Sequence, residues 1–245
     1  MLSKRVQRRE VIGFCLMALF AGVTIGIGCT CFLLFTSLSV MPAFGKMCGG
    51  FLFALGIFAI ISFEMKLFTG MVAGIPSMEK KNLWQLPVCF ICNALGVLLT
   101  ATLIKFTAIG DTVVALGQQA IVGKLDAEYW YINALISSIF CGILITMSIL
   151  APSYAKGKGV SATLGVVLPI IVFAFCGFDH SVANMFYFYS LGEFSWRVVG
   201  YILITIVGNI LGGTAFPLVV NYKKRTQTII EKEEKNASAE TEEEK

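Results

Sequence analysis

Six stretches of the chain are apolar at nearly every position, roughly residues 11–38, 45–75, 86–109, 129–152, 160–190 and 196–221, with short polar segments between them. Each is at or beyond the ~20 residues a helix needs to cross a bilayer. A run without a polar face has nothing to offer water, so these segments predict membrane-spanning helices rather than the amphipathic helices of a soluble core. The connection at 110–128, with Asp111, Lys124, Asp126 and Glu128, reads as the longest loop. Residues 1–10 read as a short N-terminal segment, 11–222 as one membrane domain, and 223–245 as a charged, solvated tail, disordered or helical.

Two of the six runs, the second and the fifth, are too long for one straight helix and carry charge near their middle. The second contains Phe63-Glu-Met-Lys-Leu-Phe-Thr-Gly70 and the fifth Gly177-Phe-Asp-His-Ser-Val-Ala-Asn184. The runs that follow them carry near-identical tetrads, Asn93-Ala-Leu-Gly96 and Asn209-Ile-Leu-Gly212, at nearly the same distance downstream. Because each half, 11–110 and 129–222, holds three spans, the halves have opposite orientation. The expectation is an all-α integral membrane protein of six helices, built as an inverted repeat with interrupted second and fifth helices. In that architecture the solute path runs along the interface of the halves. Non-helical backbone at membrane depth persists only where protein covers it or where it lines a cavity.

Composition narrows the picture. Of the 245 residues, 57% are hydrophobic and only 14% charged, and seven of the fifteen acidic residues lie in the last fifteen positions. Soluble domains carry about a quarter charged residues, so a soluble enzyme is excluded. No basic patch interleaves with aromatics, which excludes a nucleic-acid partner. The eight cysteines lie mostly inside apolar runs, where they read as packing residues, and no zinc spacing occurs. No metal, cofactor or catalytic constellation is expected, since the chain has one His and neither a His-Glu-x-x-His nor a Gly-x-Ser-x-Gly motif.

Positive charge sets the orientation. Lys4, Arg5, Arg8, Arg9, Lys80, Lys81, Lys156, Lys158, Lys223, Lys224 and Arg225 fall on one side, against Lys46, Lys105, Lys124 and Arg197 on the other. Eleven against four predicts a multi-pass protein of the cell membrane with both termini in the cytoplasm.

An ionisable group in a span carries an insertion penalty of about 2.5–3.5 kcal/mol, so each needs a reason. Four are present: Glu64, Lys66, Asp179 and His180. His180, the chain's single histidine, stands at the expected break of the fifth span and is read as a pore-lining proton donor. Asp179 beside it reads either as a partner of His180 or, more simply, as the cap of the half-helix that follows.

These residues resemble a known pattern. Gly177-Phe-Asp-His-Ser-Val-Ala-Asn-Met185 is similar to the Gly-Phe-Glu-His-x-x-Ala-Asn-Met signature of the formate/nitrite transporter family, and Leu67-Phe-Thr-Gly70 to its Glu-Leu-Phe-Thr-Gly segment. The resemblance covers about 10–222 and implies an aquaporin-like fold and a homopentamer with one pore in each protomer. It makes His180 the central pore histidine, Thr69 the threonine facing it and Asn184 a further pore residue. Leu67, Phe68 and Phe173 would form an apolar gate on the outer side of the histidine, and Phe53 the inner gate. Lys66 stands where the family has Glu, with Glu64 two residues earlier. Gly142 stands where the family has Asn, Asp179 replaces Glu, and Lys124 lies two places from the family's lysine.

The expected function is transport of a small monovalent weak-acid anion, formate first and nitrite or hydrosulfide next, with protons and membrane lipid as the other partners. Lactate-like acids would need a wider gate. The alternatives are a neutral-solute pore for water, glycerol or ammonia, and a membrane scaffold acting through the acidic tail.

Overall fold

The computed structural model describes residues 4–155, 159–192 and 195–243, with side chains for all of these except 4–6, 191 and 234–243. Lys156 and Lys158 of the charge count lie outside the described residues. Nine α-helices account for nearly all of the described chain: α1 (Lys4–Leu38), α2 (Pro42–Ser62), α3 (Phe68–Met71), α4 (Gln85–Ile104), α5 (Gly110–Leu125), α6 (Trp130–Tyr154), α7 (Gly159–Cys176), α8 (Ser181–Leu191) and α9 (Trp196–Glu243). Short 3-10 turns, Val72–Ser77 and Lys80–Asn82, join α3 to α4. No strand occurs among the described residues. Six helices are long and apolar enough to cross a membrane.

The second and fifth spans are interrupted as their length and charge predict. α2 stops at Ser62 and the span resumes as α3; α7 stops at Cys176 and resumes as α8. Both stops have the same geometry. Met65 N–H donates to the Ile60 carbonyl (2.9 Å) and Glu64 N–H to that of Ile61 (3.2 Å). In the other half Phe178 N–H donates to Phe173 (3.0 Å) and Gly177 N–H to Ala174 (3.2 Å). The residue at the turn has positive φ in both, 53° at Glu64 and 72° at Gly177. This is the Schellman ending, in which a left-handed residue folds the chain back to satisfy the last free carbonyls.

Packing follows the same two-fold logic. α1 packs on α2 and α4, α6 packs on α7 and α9, and α2 meets α7 where the halves join. Small residues let the backbones touch. A Cβ on Gly22 of α1 would strike the Asn93 carbonyl, and one on Gly96 would strike that of Leu19; Gly142 and Gly212 stand in the same relation to Asn209 and Ile139. Without a hydrophobic drive between helices in lipid, such close approach is what holds them together. The outer surface of the chain is apolar, with Leu16, Phe20, Leu95, Leu103, Leu203 and Leu211 all exposed.

One element differs from the sequence reading. The 110–128 connection is mostly helical: α5 buries Val113, Gly117 and Ile121, one per turn, and lies against α8. Asp111 in its first turn and Lys124 in its last suit the helix dipole, a signal that was present in the sequence. α9 runs unbroken through the boundary expected at 222/223, so the described part of the tail extends the last span as helix.

Candidate functional site

The site is built where the two interrupted spans meet, and an asparagine from the following span holds each interruption in place. Asn93 accepts from Phe68 N–H (2.8 Å) and donates to the carbonyls of Lys66 (2.9 Å) and Ala18 (2.7 Å). Asn209 accepts from Ser181 N–H (2.8 Å) and donates to those of Asp179 (2.9 Å) and Ser138 (2.9 Å). A carboxamide can serve a free donor and a free acceptor at once, which is what a broken helix leaves behind. Both tetrads found in the sequence thus have a physical purpose, and both asparagines are fully buried.

Between these clamps Thr69 Oγ1 lies 2.8 Å from His180 Nε2, each residue only 1% exposed. His180 is the N-cap of α8, its Nδ1 accepting from Ala183 N–H at 3.1 Å. A ring nitrogen that accepts a backbone N–H carries no proton, so the ring is neutral, with its hydrogen on Nε2 directed at Thr69. The expectation that Asp179 caps α8, or pairs with His180, is replaced by this arrangement. Asp179 faces away from the ring. It forms a salt bridge with Lys124 and accepts from Asn184 Nδ2 (2.9 Å), its backbone N–H donates to Ser137 Oγ (3.0 Å), and the buried Tyr201 lies near it. Lys124 also reaches Asn184 Oδ1 at 3.3 Å. Sequence reasoning named Lys124, Asp179 and Asn184 separately; the fold joins them. It missed Tyr201 and Ser137, which nothing in their own segments distinguishes from packing residues.

Three of the first N–H groups of α8, those of Ser181, Ala183 and Asn184, already have protein acceptors. The half-helix terminus is therefore largely satisfied from within.

His180 lies at the floor of a cavity of about 630 Å³ that opens toward the C-terminal end of α1. Phe53 and Phe173 line the same cavity and pack edge to face, with ring centroids 5.4 Å apart; Phe173 is 6.0 Å from the imidazole. Phe53 therefore sits with Phe173 on one side of the histidine, not across the pore from it. Leu67 and Phe68 are buried and line no part of this cavity; Phe68 packs on Phe90 of α4 (5.1 Å). The segment just before them faces the opposite end, where Glu10, Glu64 and Lys66 line a second hollow of about 480 Å³. Phe53 and Phe173 thus lie on the first hollow's side of His180, while Lys66, just before Leu67 and Phe68 in the chain, lines the second. Among the described residues, no cluster of three or more His, Cys, Asp or Glu side chains is placed to hold a metal.

A six-helix inverted repeat with two broken spans meeting at a buried polar pair defines a multi-pass membrane protein of the transport class. The chain belongs to the formate/nitrite transporter family, whose model matches residues 3–223. This is a family of transporters and not of enzymes. The chain is 28% identical over 189 residues to the uncharacterized transporter YrhG of Bacillus subtilis, covering 70% of this chain and 68% of that one. It is also 28% identical to the formate channel FocA of Haemophilus influenzae (63% and 60%) and of Escherichia coli K12 (69% and 63%). The matched region thus spans somewhat under two thirds of those formate channels. Among solved structures, a pentameric formate channel with formate bound superposes with a TM-score of 0.75 at 20% identity, covering 89% of this chain and 99% of that one.

Proposed function

We propose that this protein is a pore for a small weak-acid anion, formate first and then nitrite or hydrosulfide, which crosses with a proton supplied through His180. The observation that carries the reading is the buried Thr69–His180 hydrogen bond, with the buried apolar side chains of Phe53 and Phe173, and of Leu67 and Phe68 next to Thr69 in the chain, around it. A bare anion passes such a barrier with difficulty, whereas its neutral acid passes readily. A water or glycerol pore gives no reason for an ionisable ring at that point. The names of the formate-channel relatives support formate.

In this reading Lys124, at the cavity wall, and Lys66, at the far hollow, draw the anion toward either mouth. Leu67 with Phe68, and Phe53 with Phe173, are the gates. Thr69 and His180 hydrogen-bond the anion at the centre, with Asn184 beside them on the cavity wall. The neutral ring has one hydrogen, on Nε2, and cannot simply give it up, because an imidazolate would remain. Proton delivery therefore couples two steps: Nδ1 takes a proton from the cavity side as Nε2 releases one to the anion. One proton enters, one leaves, and Ala183 N–H is without its acceptor until the ring returns to its first tautomer. Asp179, held by Lys124 and Asn184, fixes the start of α8 that carries the ring.

The eleven-to-four charge asymmetry supports an orientation with both termini in the cytoplasm, in which the 630 Å³ cavity faces out. The pentameric neighbour supports five protomers, each with its own pore. The deciding experiment is uptake of labelled formate, nitrite and hydrosulfide into proteoliposomes at two pH values, with His180→Asn in parallel. Selective uptake that rises as pH falls, and loses that rise in His180→Asn, is the expected result. Water or glycerol flux without anion flux, indifferent to the substitution, rejects it.

A further inference from the structure

The cavity above His180 is far larger than the solute proposed to pass through it. Its 630 Å³ would hold many waters at about 30 Å³ each, and a one-carbon carboxylate is not much larger than a water. Pockets for compact organic ligands run from about 300 to 1,000 Å³, mostly apolar with a few converging polar groups. The walls here match that description. Phe32, Leu116 and Phe178 are apolar, and the Phe53–Phe173 pair makes the floor.

The polar groups of this cavity are unevenly engaged. Lys124 is already paired with Asp179. Lys46, on the opposite wall, has no ion-pair partner among the described residues. Thr36 Oγ1 also lines the cavity, is shielded from water, and has no hydrogen-bond partner. The segments that carry them touch: a Cβ on Gly45, the residue before Lys46, would lie 3.2 Å from Thr36 Cα. An ammonium without an ion-pair partner and an unsatisfied hydroxyl thus line the same apolar chamber. An unsatisfied buried hydroxyl is unfavourable, and a carboxylate held between the two would accept from both.

We infer that this chamber binds amphipathic monocarboxylates, with the carboxylate on Lys46 and Thr36 and the alkyl or aryl body along Phe32, Leu116 and Phe178, over the Phe53–Phe173 floor. Such an acid fills the chamber without fitting the constriction below. It therefore acts as a blocker from this face of the membrane and not as a transported solute. The inference rests on the chamber alone and stands whether or not formate is the permeant.

The test is calorimetric titration of the purified, detergent-solubilised protein with octanoate and with phenylacetate, using octanamide as the uncharged control and protein-free micelles as the partition control. Saturable octanoate binding, absent for octanamide, is expected. Lys46→Gln should weaken it about tenfold, on the scale of one charge-assisted hydrogen bond. Leu116→Trp fills the chamber without replacing either polar group and should abolish binding, while an unchanged melting temperature shows that the variant is folded. Octanoate added to the proteoliposomes should block small-anion uptake, and Lys46→Gln should weaken the block. Heat identical to that of empty micelles, or saturable binding unaffected by both substitutions, overturns the inference. Because titration needs no transport, octanoate binding without formate uptake would refute the proposed permeant and leave this site standing.

Discussion

The two interrupted spans share one scaffold and differ in what it holds. In each, a left-handed residue ends the first helix, and the next span's asparagine bridges the gap and ties it to a neighbouring backbone. At corresponding positions the first break holds Lys66, Leu67 and Phe68, and the second Asp179, His180 and Ser181. Lys66 faces an open hollow, while Asp179 is buried against Lys124; Leu67 is an inert wall, while its counterpart His180 caps a helix and touches Thr69. Backbone support is therefore a requirement of the membrane, which demands that every polar backbone group be satisfied, and is met identically twice. Chemistry is needed once, and only one half supplies the ring.

Breaking the support should have the largest effect. Asn209→Ala leaves an N–H and two carbonyls without partners, at about 1–3 kcal/mol per orphaned group, so a loss of about 3 kcal/mol or more is expected. Thermal unfolding in detergent reads it, and Asn93→Ala should behave alike if the two clamps are equivalent. His180→Leu makes the second break resemble the first. It should keep the fold, less about 1 kcal/mol for the lost cap, and lower weak-acid uptake about a hundredfold.

Asp179→Asn removes the salt bridge while keeping the side chain's shape. With Lys124 partly solvated, a fall of about 1–3 kcal/mol in stability is expected, below the range for fully buried pairs, together with slower uptake. The smallest effect concerns the turn residues. Glu64 adopts a conformation that glycine adopts freely, so Glu64→Gly should stabilise by up to about 1 kcal/mol, whereas Gly177→Ala should destabilise by about 1–2 kcal/mol. Opposite signs in the melting temperature would confirm that the two turns are the same device; equal signs would separate them.

Much of this was legible because the membrane writes simple rules. Six apolar runs gave six helices, charge in the middle of two of them marked the breaks, and the Asn93 and Asn209 tetrads marked what mends them. α5 was less legible because a short, half-polar helix resembles a loop until its partner α8 is known; its one-per-turn positions Val113, Gly117 and Ile121 are too few to stand out. The partner of Asp179 was illegible for a different reason. Its neighbour in sequence is His180, but its neighbour in space is Lys124, 55 residues away and carried by that same helix. Phe53 was placed across the pore from Phe173 because spacing from Thr69 gives a depth only along one helix, and the approach of α2 to α7 decides which side it faces.

The asparagine clamps also bear on the order in which the molecule is made. The three backbone partners of Asn93 lie between Ala18 and Phe68, and the three of Asn209 between Ser138 and Ser181. Each clamp therefore closes backward, onto chain that has already left the ribosome. The first can form once the third span has returned across the bilayer, before any of the second half exists. Thr69, by contrast, waits for His180, synthesised 111 residues later. During biogenesis the first clamp can thus close before the second half exists, whereas the point where a solute would be recognised waits for the fifth span and the second clamp for the sixth.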